Sequence, residues 1–336
     1  MISAAAWETN PVASTIKIEA IATDDYVREV LPDTFALWGN ERTYERYVED
    51  FASLAKSPYG KRRPFTIGLR DDGRIVCSCK NYEREIRSGS TSLQATGIGA
   101  VFTPAHSRGR GYATVMLAAL LDAERAAGRD VAFLYSDIHP LFYERLGFSA
   151  LPSRLITLRA QSLDGGRAGA VPLESTDWAA VRRCFEAMEA ARPWALRRTP
   201  LVWDWMRARW DAPAPDGSQP VQLVVRRGRA VRAYVIGRRA LRADTFVIDD
   251  FGFDGEEGRA VLPALLRAGA GDLRRVGGWL PPPLARDALP RGSVRSRKDA
   301  IFMIALLSAP ARAWWDQCRD ATLAARSDPT WSADHV

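Results

Sequence analysis

The sequence predicts an α/β (α+β) protein built from two similar halves, and three observations support this prediction. Strand-like and helix-like stretches follow one another in the order β-α-α-β-β-β-α-β-α-β between about residues 15 and 160. Residues 161–170 then have the composition of a linker. Beyond the linker the same pattern partly repeats. A chain of 336 residues is long enough for two domains, so we expect domains at 1–160 and 171–336, with a tail closing the second.

The elements of the first half follow from hydrophobic periodicity and turn signals. Asp71-Asp72-Gly73 marks a hairpin, because Asp-Gly readily supplies positive φ. Ser136 and Asp137 are candidate helix caps, and Gly147 is a candidate C-cap. The predicted strands are 15–21, 65–70, 74–83, 93–103, 131–135 and 153–159, and the predicted helices are 26–37, 44–54, 114–127 and 141–146.

The second half resembles the first in its order of elements. Its predicted helices are 178–190, 201–210 and 259–268, and its predicted strands are 221–226, 230–238, 245–253, 276–280 and 301–307. The tryptophans of this half favour a packed core over a pocket wall. The half therefore has enough regular structure to form a domain of its own.

Composition narrows the classes of partner. The net charge of +7 suits an anionic ligand, and it would also suit nucleic acid, but the surplus is spread along the chain and makes nucleic acid an unlikely partner. The sequence contains no run of about 18 uncharged apolar residues, so no membrane span is expected. Cys77 and Cys79 lack a further Cys/His cluster, which favours reduced thiols in a cytoplasmic protein and no bound metal.

The stretch from Gly99 to Ala113 is the clearest candidate for a binding site. An apolar strand runs into a turn that contains Gly109 and Gly111, and a helix follows directly. The first N–H groups of a helix have no intrahelical partner, and the helix dipole favours negative charge there. Glycines allow the backbone to approach a phosphate closely. The turn therefore predicts an anion site, although its spacing is neither a P-loop nor a dinucleotide fingerprint.

Two motifs in the first half resemble the GNAT superfamily of N-acetyltransferases. Arg108-x-x-Gly111-x-Ala113 is similar to the Arg/Gln-x-x-Gly-x-Gly/Ala signature of that family, and Tyr143 to Phe148 is similar to its Tyr-x-x-x-Gly-Phe ending. The resemblance covers about residues 15–160. It implies a tandem of GNAT folds, each a mixed and mostly antiparallel sheet flanked by helices, with a degenerate second copy. The arrangement resembles fungal lysine N-acetyltransferases and mycobacterial enhanced-intracellular-survival acetyltransferases.

The resemblance also implies a cosubstrate and roles for particular residues. The cosubstrate would be acetyl-CoA, with no metal. Backbone donors at the end of the fourth strand would polarise the thioester carbonyl, and the amides of the turn would hold the pyrophosphate. Tyr143 matches the family position of the general acid. The second half carries Glu256 and Glu257 at the matching helix start, which would repel a pyrophosphate, so we expect one acetyl-CoA site. Its predicted residues are Val101, Phe102, Thr103, Arg108, Gly109, Arg110, Gly111, Tyr112 and Ala113.

The general base and the acceptor are less defined by the sequence. An alkyl amine must lose a proton before it attacks. His139 and Asp137 follow the fifth strand and could approach the site, and the carboxylate of Val336 could serve if the tail folds back. His106 lies in the turn, at a position that faces the cofactor in the resembled family, and is not expected to act as the base. A small cationic amine such as lysine is the expected acceptor, with an aminoglycoside or a protein or peptide amine as alternatives. The carboxylates available to attract such an amine are Asp24, Asp25, Glu41, Asp249 and Asp250. A non-catalytic acyl-CoA sensor is a further alternative, and the oligomeric state is not indicated.

Overall fold

The computed structural model describes residues 17–164, 169–212, 214 and 216–336. Part of the predicted first strand and of the predicted linker therefore lies outside the described residues. The elements of the first half are β1 (Ile18–Ala20), α1 (Thr23–Glu29), α2 (Leu31–Trp38), α3 (Tyr44–Lys56), β2 (Thr66–Asp71), β3 (Arg74–Ser88), β4 (Thr91–Phe102), α4 (Tyr112–Ala126), β5 (Val131–Ser136), α5 (Leu141–Glu144), β6 (Ser149–Ala150) and β7 (Arg154–Arg159).

The second half contains the remaining strands and helices. They are β8 (Ala170–Pro172), α6 (Trp178–Glu189), β9 (Trp194–Arg197), α7 (Pro200–Asp211), β10 (Gln219–Arg227), β11 (Ala230–Ala240), β12 (Thr245–Phe253), α8 (Gly255–Ala270), β13 (Arg275–Trp279), α9 (Pro283–Arg286), β14 (Ser293–Ser296), β15 (Ile301–Leu306) and α10 (Ala309–Ala325).

Two mostly antiparallel sheets run through the described part of the chain. The first has the order β1-β2-β3-β4-β5-β15-β6, with β9 added against β3, and the second has the order β14-β7-β13-β12-β11-β10-β8. Each holds one parallel pair, β4 with β5 and β12 with β13, and in each case a long helix joins the two strands. Each sheet therefore contains a path of seven strands with one parallel pair, and the first sheet has β9 as an additional strand.

The two halves exchange a strand at equivalent positions. β15, from the second half, pairs with β5 of the first sheet. β7, from the first half, pairs with β13 of the second sheet. The sequence places residues 153–159 last in the first domain and 301–307 last in the second, yet both form their hydrogen bonds in the opposite sheet. Period-two alternation identifies a strand but not its partner.

Some predictions about individual helices and helix caps were wrong. The predicted helix 26–37 is divided into α1 and α2 at Val30, and Pro32 in the first turn of α2 supplies no N–H group to continue the hydrogen bonds of α1. Ser136 and Asp137 do not cap α5, which begins after Pro140. Their side chains instead bind the carbonyl of Ile138 and the N–H of Ala300. The 17-residue helix α10 was not predicted.

One of the hydrophobic clusters contains residues of both halves. Tyr26 and Phe51 from α1 and α3 belong to the same buried cluster as Trp203, Tyr234 and Trp331 from the second half. The prediction that second-half tryptophans fill a core is confirmed for Trp203, which is 1% exposed. Within the described ranges, no helix is long and apolar enough to span a membrane and no cluster of potential metal ligands occurs.

Candidate active site

The turn before α4 has the geometry of an anion site. Gly109 and Gly111 have φ values of +78° and +79°, and a Cβ added at either position would have no atom within 4 Å. Backbone conformation, rather than lack of space, therefore requires glycine there. Gly111 is the N-cap of α4 and offers no side-chain acceptor to the first helical N–H groups. Those N–H groups are consequently free to bind an anion.

Two side-chain hydrogen bonds fix the position of the turn. Tyr112 is buried, and its hydroxyl donates a hydrogen bond to Asp71 at 2.5 Å. The Nε atom of Arg108 donates to the carbonyl of Thr103 at 3.0 Å. Arg108 and Arg110 are both exposed, so positive charge surrounds the opening of the turn.

β4 and β5 separate next to this turn. Their parallel pairing ends at Ile98 with Leu134, although both strands continue beyond it. β4 has a bulge here, since its register against β3 shifts after Gly99 and Ala100 adopts a φ of +47°. A non-glycine residue in this region costs about 1–2 kcal/mol, and such strain concentrates at functional sites. The separation opens an edge along Val101–Thr103.

The tail ends in this opening. An ideal Cβ at Gly99 would lie 2.7 Å from the carboxyl carbon of Val336 and 2.8 Å from its oxygen. A Cβ at Gly97 would lie 3.3 Å from the Val336 side chain. The tail therefore folds back, and only glycines on β4 leave room for it.

A buried ionic network anchors the tail. Asp334 accepts hydrogen bonds from Arg84 on β3 at 2.6 Å and from Arg198 at 3.1 Å. Arg198 also binds Asp250 on β12 at 2.8 Å, and Asp250 accepts a bond from Tyr234. Burial raises the pKa of Asp334, but the two arginines outweigh burial and the pKa lies below its ordinary value. The network joins the tail to both sheets.

Aromatic and backbone contacts support the rest of the tail. Trp331 is 3% exposed and meets Phe251 edge-on, with ring centroids 4.9 Å apart. Thr330 accepts a hydrogen bond from Tyr135, and Asp328 pairs with Arg297 at 3.2 Å. The tail is thus part of the core.

Tyr143 lies on the face of the first sheet that α4 covers, opposite to the face that the tail contacts. It is buried in the cluster formed by α4 and α5, against Phe148 and close to Cys79 and Cys77. Burial, followed by these thiols and Asp137, raises the pKa of Tyr143. The phenol is consequently protonated at neutral pH. Cys77 also accepts a hydrogen bond from the hydroxyl of Thr103, the residue that follows β4.

The other histidines of the first half and Asp137 lie at the protein surface. His106 is exposed in the short 3₁₀ turn after β4, and Asp137 and His139 are exposed after β5. His139 accepts a hydrogen bond from the N–H of Leu141. His335, which sequence reasoning passed over, lies beside the tail carboxylate. Burial, Arg209 and Arg297 lower its pKa to about 4, so its imidazole is neutral at physiological pH.

A cleft of about 820 Å³ leads to His335 from the surface. It lies between α3 of the first half and α7 and the second sheet of the other half. Its charged lining residues are Arg42, Arg46, Glu49, Asp50, Arg209, Asp216, Arg238 and Asp249. Of the acids predicted to attract a cationic amine, Asp249 lines the cleft, whereas Asp250 is fully buried in the tail network.

Two further cations of this region were not predicted. Lys80 is paired with Gly99 across β3 and β4, and its ammonium lies 5.3 Å from the ring centroid of Phe51. Burial, Arg209 and Arg42 lower the pKa of Lys80 to about 8. Tyr82, two residues along β3, contacts the same face of Gly99. No local signal marks Lys80 or Arg209, since neither belongs to a motif.

Comparison with known proteins identifies the first half. A family model described as an acetyltransferase (GNAT) domain matches residues 22–151. Residues 22–151 are a GNAT acetyltransferase domain. The anion site and the separated strands both lie within the match, and the predicted family resemblance is confirmed. The family model covers less than half of the chain.

Relatives of the acetyltransferase domain agree with this assignment. The chain is 31% identical over 109 residues to a lysine acetyltransferase of Yarrowia lipolytica, over 30% of this chain and 28% of that protein. The alignment thus spans less than a third of the relative.

Solved structures extend the likeness in fold to both halves. A GCN5-related N-acetyltransferase from Kribbella flavida matches 90% of this chain and 74% of its own, with a TM-score of 0.63 and 20% identity. Eis1 from Mycobacterium abscessus matches 88% of this chain and 74% of its own, with a TM-score of 0.54 and 15% identity. The predicted fold class, two mixed and mostly antiparallel sheets flanked by helices, is confirmed.

Proposed function

We propose that the protein is an acetyl-CoA-dependent N-acetyltransferase that acts on a primary amine of a small molecule such as lysine. The observation that carries the proposal is the carboxylate of Val336 against Gly99, at the edge where β4 and β5 separate next to the anion-binding turn. The lysine acetyltransferase of Yarrowia lipolytica supports lysine as the acceptor.

The turn and the end of β4 would hold acetyl-CoA. The pyrophosphate would bind the N–H groups between Arg108 and Ala113, and the exposed guanidinium groups of Arg108 and Arg110 would add charge-assisted contacts. Backbone donors along Val101–Thr103 would polarise the thioester carbonyl. The chain's positive charge suits this anionic cosubstrate.

Proton transfers would then occur on opposite faces of the first sheet. Val336, on the face covered by α1–α3, would accept a proton from the acceptor ammonium. The neutral amine would attack the carbonyl carbon and form the C–N bond, the C–S bond would break, and the nitrogen would release its second proton to solvent. Tyr143, on the α4 face, would give its proton to the leaving thiolate and would then be reprotonated from solvent. Each group is held by packing on its own side of the opening.

Thiol release from acetyl-CoA tests the proposal. We expect turnover with lysine in a panel that includes polyamines, aminoglycosides and lysine peptides. Tyr143→Phe should lower kcat by roughly 100-fold or more, with acetyl-CoA affinity unchanged. Tyr44→Phe is a matched control, because the hydroxyl of Tyr44 makes only a 3.4 Å bond to the carbonyl of Val27.

A second variant tests the base. Adding residues after Val336 removes its free carboxylate, and intact mass measurement verifies the C-terminus of the protein used. We expect kcat to fall by at least roughly 100-fold while acetyl-CoA still binds. Full turnover in the extended variant would reject the role of Val336. Tight acetyl-CoA binding with no turnover on any amine would instead support the acyl-CoA sensor.

A further inference from the structure

The acids that line the cleft are already engaged within the protein. Asp50 pairs with Arg42 at 3.1 Å and with Arg46 at 2.9 Å. Asp249 pairs with Arg238 at 2.8 Å, and burial raises its pKa although Arg238 opposes that effect. These carboxylates have little remaining capacity to bind a ligand ammonium.

The two remaining acids lie at the outer part of the cleft. Asp216 is exposed and accepts a bond from the N–H of Ser218, and the Glu49 side chain is 69% exposed and lies 3.8 Å from Arg46. Carboxylates in contact with water bind a cation weakly. Among the residues that the structure describes, the inner cleft consequently offers no unpaired carboxylate to a second ammonium.

Arg209 is a cation of the cleft that has no acidic partner. Among the described residues, no carboxylate lies within 4.0 Å of its guanidinium. Its Nη1 atom donates to the carbonyl of His335 at 3.0 Å, and the guanidinium lies 4.6 Å from the ring centroid of Trp205. The side chain is exposed to the cleft, so its other N–H groups face the space that an acceptor would occupy.

Lys80 is a second cation close to Arg209. The described residues also place no carboxylate within 4.0 Å of its ammonium, which lies over Phe51. Lys80 and Arg209 are close enough for their charges to interact unfavourably. Two neighbouring positive charges, one of which lines the cleft, raise the local positive potential and favour an anion near them.

Arg209 lies close to the carboxylate of Val336, which we propose as the general base. Arg209 binds the carbonyl of His335, one residue before Val336. Since consecutive Cα atoms are about 3.8 Å apart, the guanidinium and the tail carboxylate lie within about 8 Å of each other. One small molecule can therefore place an amine at Val336 and a second group at Arg209.

We propose that the acceptor carries a carboxylate as well as its amine, and that Arg209 binds this carboxylate in the charged field that Lys80 reinforces. The acceptor class is then a free amino acid rather than a polyamine or an aminoglycoside. A guanidinium binds a carboxylate through two parallel N–H bonds, which gives direction as well as affinity. This inference rests on the proposed function, since it concerns the acceptor of the same site.

The experiment compares amine acceptors that carry a carboxylate with amine acceptors that lack one. L-Lysine and 6-aminohexanoate carry a carboxylate and a terminal amine, whereas cadaverine and lysinamide lack the carboxylate. We expect kcat/KM to be roughly 10- to 100-fold higher for the carboxylate-bearing pair, mostly through KM. Arg209→Gln should remove this preference, because kcat/KM should fall much further for the carboxylate-bearing pair than for the carboxylate-free pair. Arg209→Lys should restore part of it, because charge returns without the planar fork.

Arg319→Gln is the matched control for loss of one positive charge. Arg319 lies on α10, is 51% exposed and pairs with Asp320, so the variant should keep the preference for carboxylate. Higher kcat/KM for cadaverine, a polyamine or an aminoglycoside would overturn the proposal. An equal loss with all four acceptors in Arg209→Gln would also overturn it.

Binding separates this proposal from the proposed function. Calorimetric titration of CoA-loaded protein with 6-aminohexanoate and with cadaverine measures the preference without any turnover. Selective binding of 6-aminohexanoate by a protein that transfers no acetyl group would support the carboxylate site and reject the enzyme. Equal or weaker binding than cadaverine would reject the carboxylate site whatever the turnover.

Discussion

The tail network makes a strong prediction about Asp334→Asn. The substitution keeps the shape of the side chain and removes its charge. Arg198 retains Asp250, but Arg84, which is fully buried, loses its acidic partner. The Nε and Nη1 atoms of Arg84 already lack hydrogen-bond partners among the described residues. The variant therefore leaves one buried guanidinium uncompensated, which costs about 3–5 kcal/mol.

The assay is urea unfolding at pH 7, together with hydrogen exchange of residues 328–334 and acetyl transfer. At pH 7 the wild-type carboxylate is fully ionised, because its pKa lies below the ordinary value, and its contribution is lost only in acid as the pH falls through that folded pKa. If the tail undocks before the sheets unfold, the measured loss is limited to the docking free energy, and exchange in the tail increases first. Turnover should fall in either case, because Val336 leaves Gly99.

Two comparisons make the result decisive. Asp320→Asn removes a carboxylate that is 90% exposed, and it should change the free energy of unfolding by less than about 0.5 kcal/mol. Adding Arg84→Met to Asp334→Asn should recover part of the lost stability, since the uncompensated charge is gone. A change below about 1 kcal/mol in Asp334→Asn, with normal turnover and tail protection, would refute the argument.

Three further predictions concern the tail and the anion site. The pKa of His335 is about 4 when the tail is docked and near 6.5 when it is free, so between these pH values His335 takes up a proton as the tail undocks. Tail docking should therefore have its full stability above pH 6.5 and lose about 1 kcal/mol per pH unit below it. Hydrogen exchange of the tail at pH 7 and pH 5 measures this loss, and His335→Phe should remove the pH dependence. Gly111→Ala forces an alanine to a φ of +79° at a cost of about 1–2 kcal/mol and should weaken acetyl-CoA binding in a titration, whereas Gly228→Ala, equally unobstructed in a distant turn, should not. Gly99→Val places a side chain on the carboxyl group of Val336 and should abolish turnover while acetyl-CoA binding persists; normal turnover would contradict the position of the tail.

Local signals predicted much of the fold and part of the candidate site. Gly109 and Gly111 could be identified because the positive φ that each adopts is a property of one residue. The glycine turn before α4 also carries one of the two motifs of the family resemblance, and it lies within the matched residues 22–151. The tail position of Val336 was foreseen only as a possibility, since it depends on contacts with β4.

The rest of the site depends on contacts between residues that are far apart in the chain. Lys80 lies on β3 and Arg209 on α7, and only the packed halves place both beside the tail. The exchange of β7 and β15 is equally hidden, because their alternation fits either sheet. Asp250 was considered as a substrate ligand, and its burial against Arg198 shows that it supports the tail instead.

The exchanged strands also affect how the protein is made. When β5 leaves the ribosome, its neighbour β15 is still about 170 residues away in the chain. At roughly 5–20 residues per second, the open edge of β5 waits roughly 10–30 s for its partner. During that interval the nascent sheet exposes a strand edge that can pair with other chains. Neither half should therefore fold when it is expressed alone, whereas the two halves expressed together should associate into one folded complex.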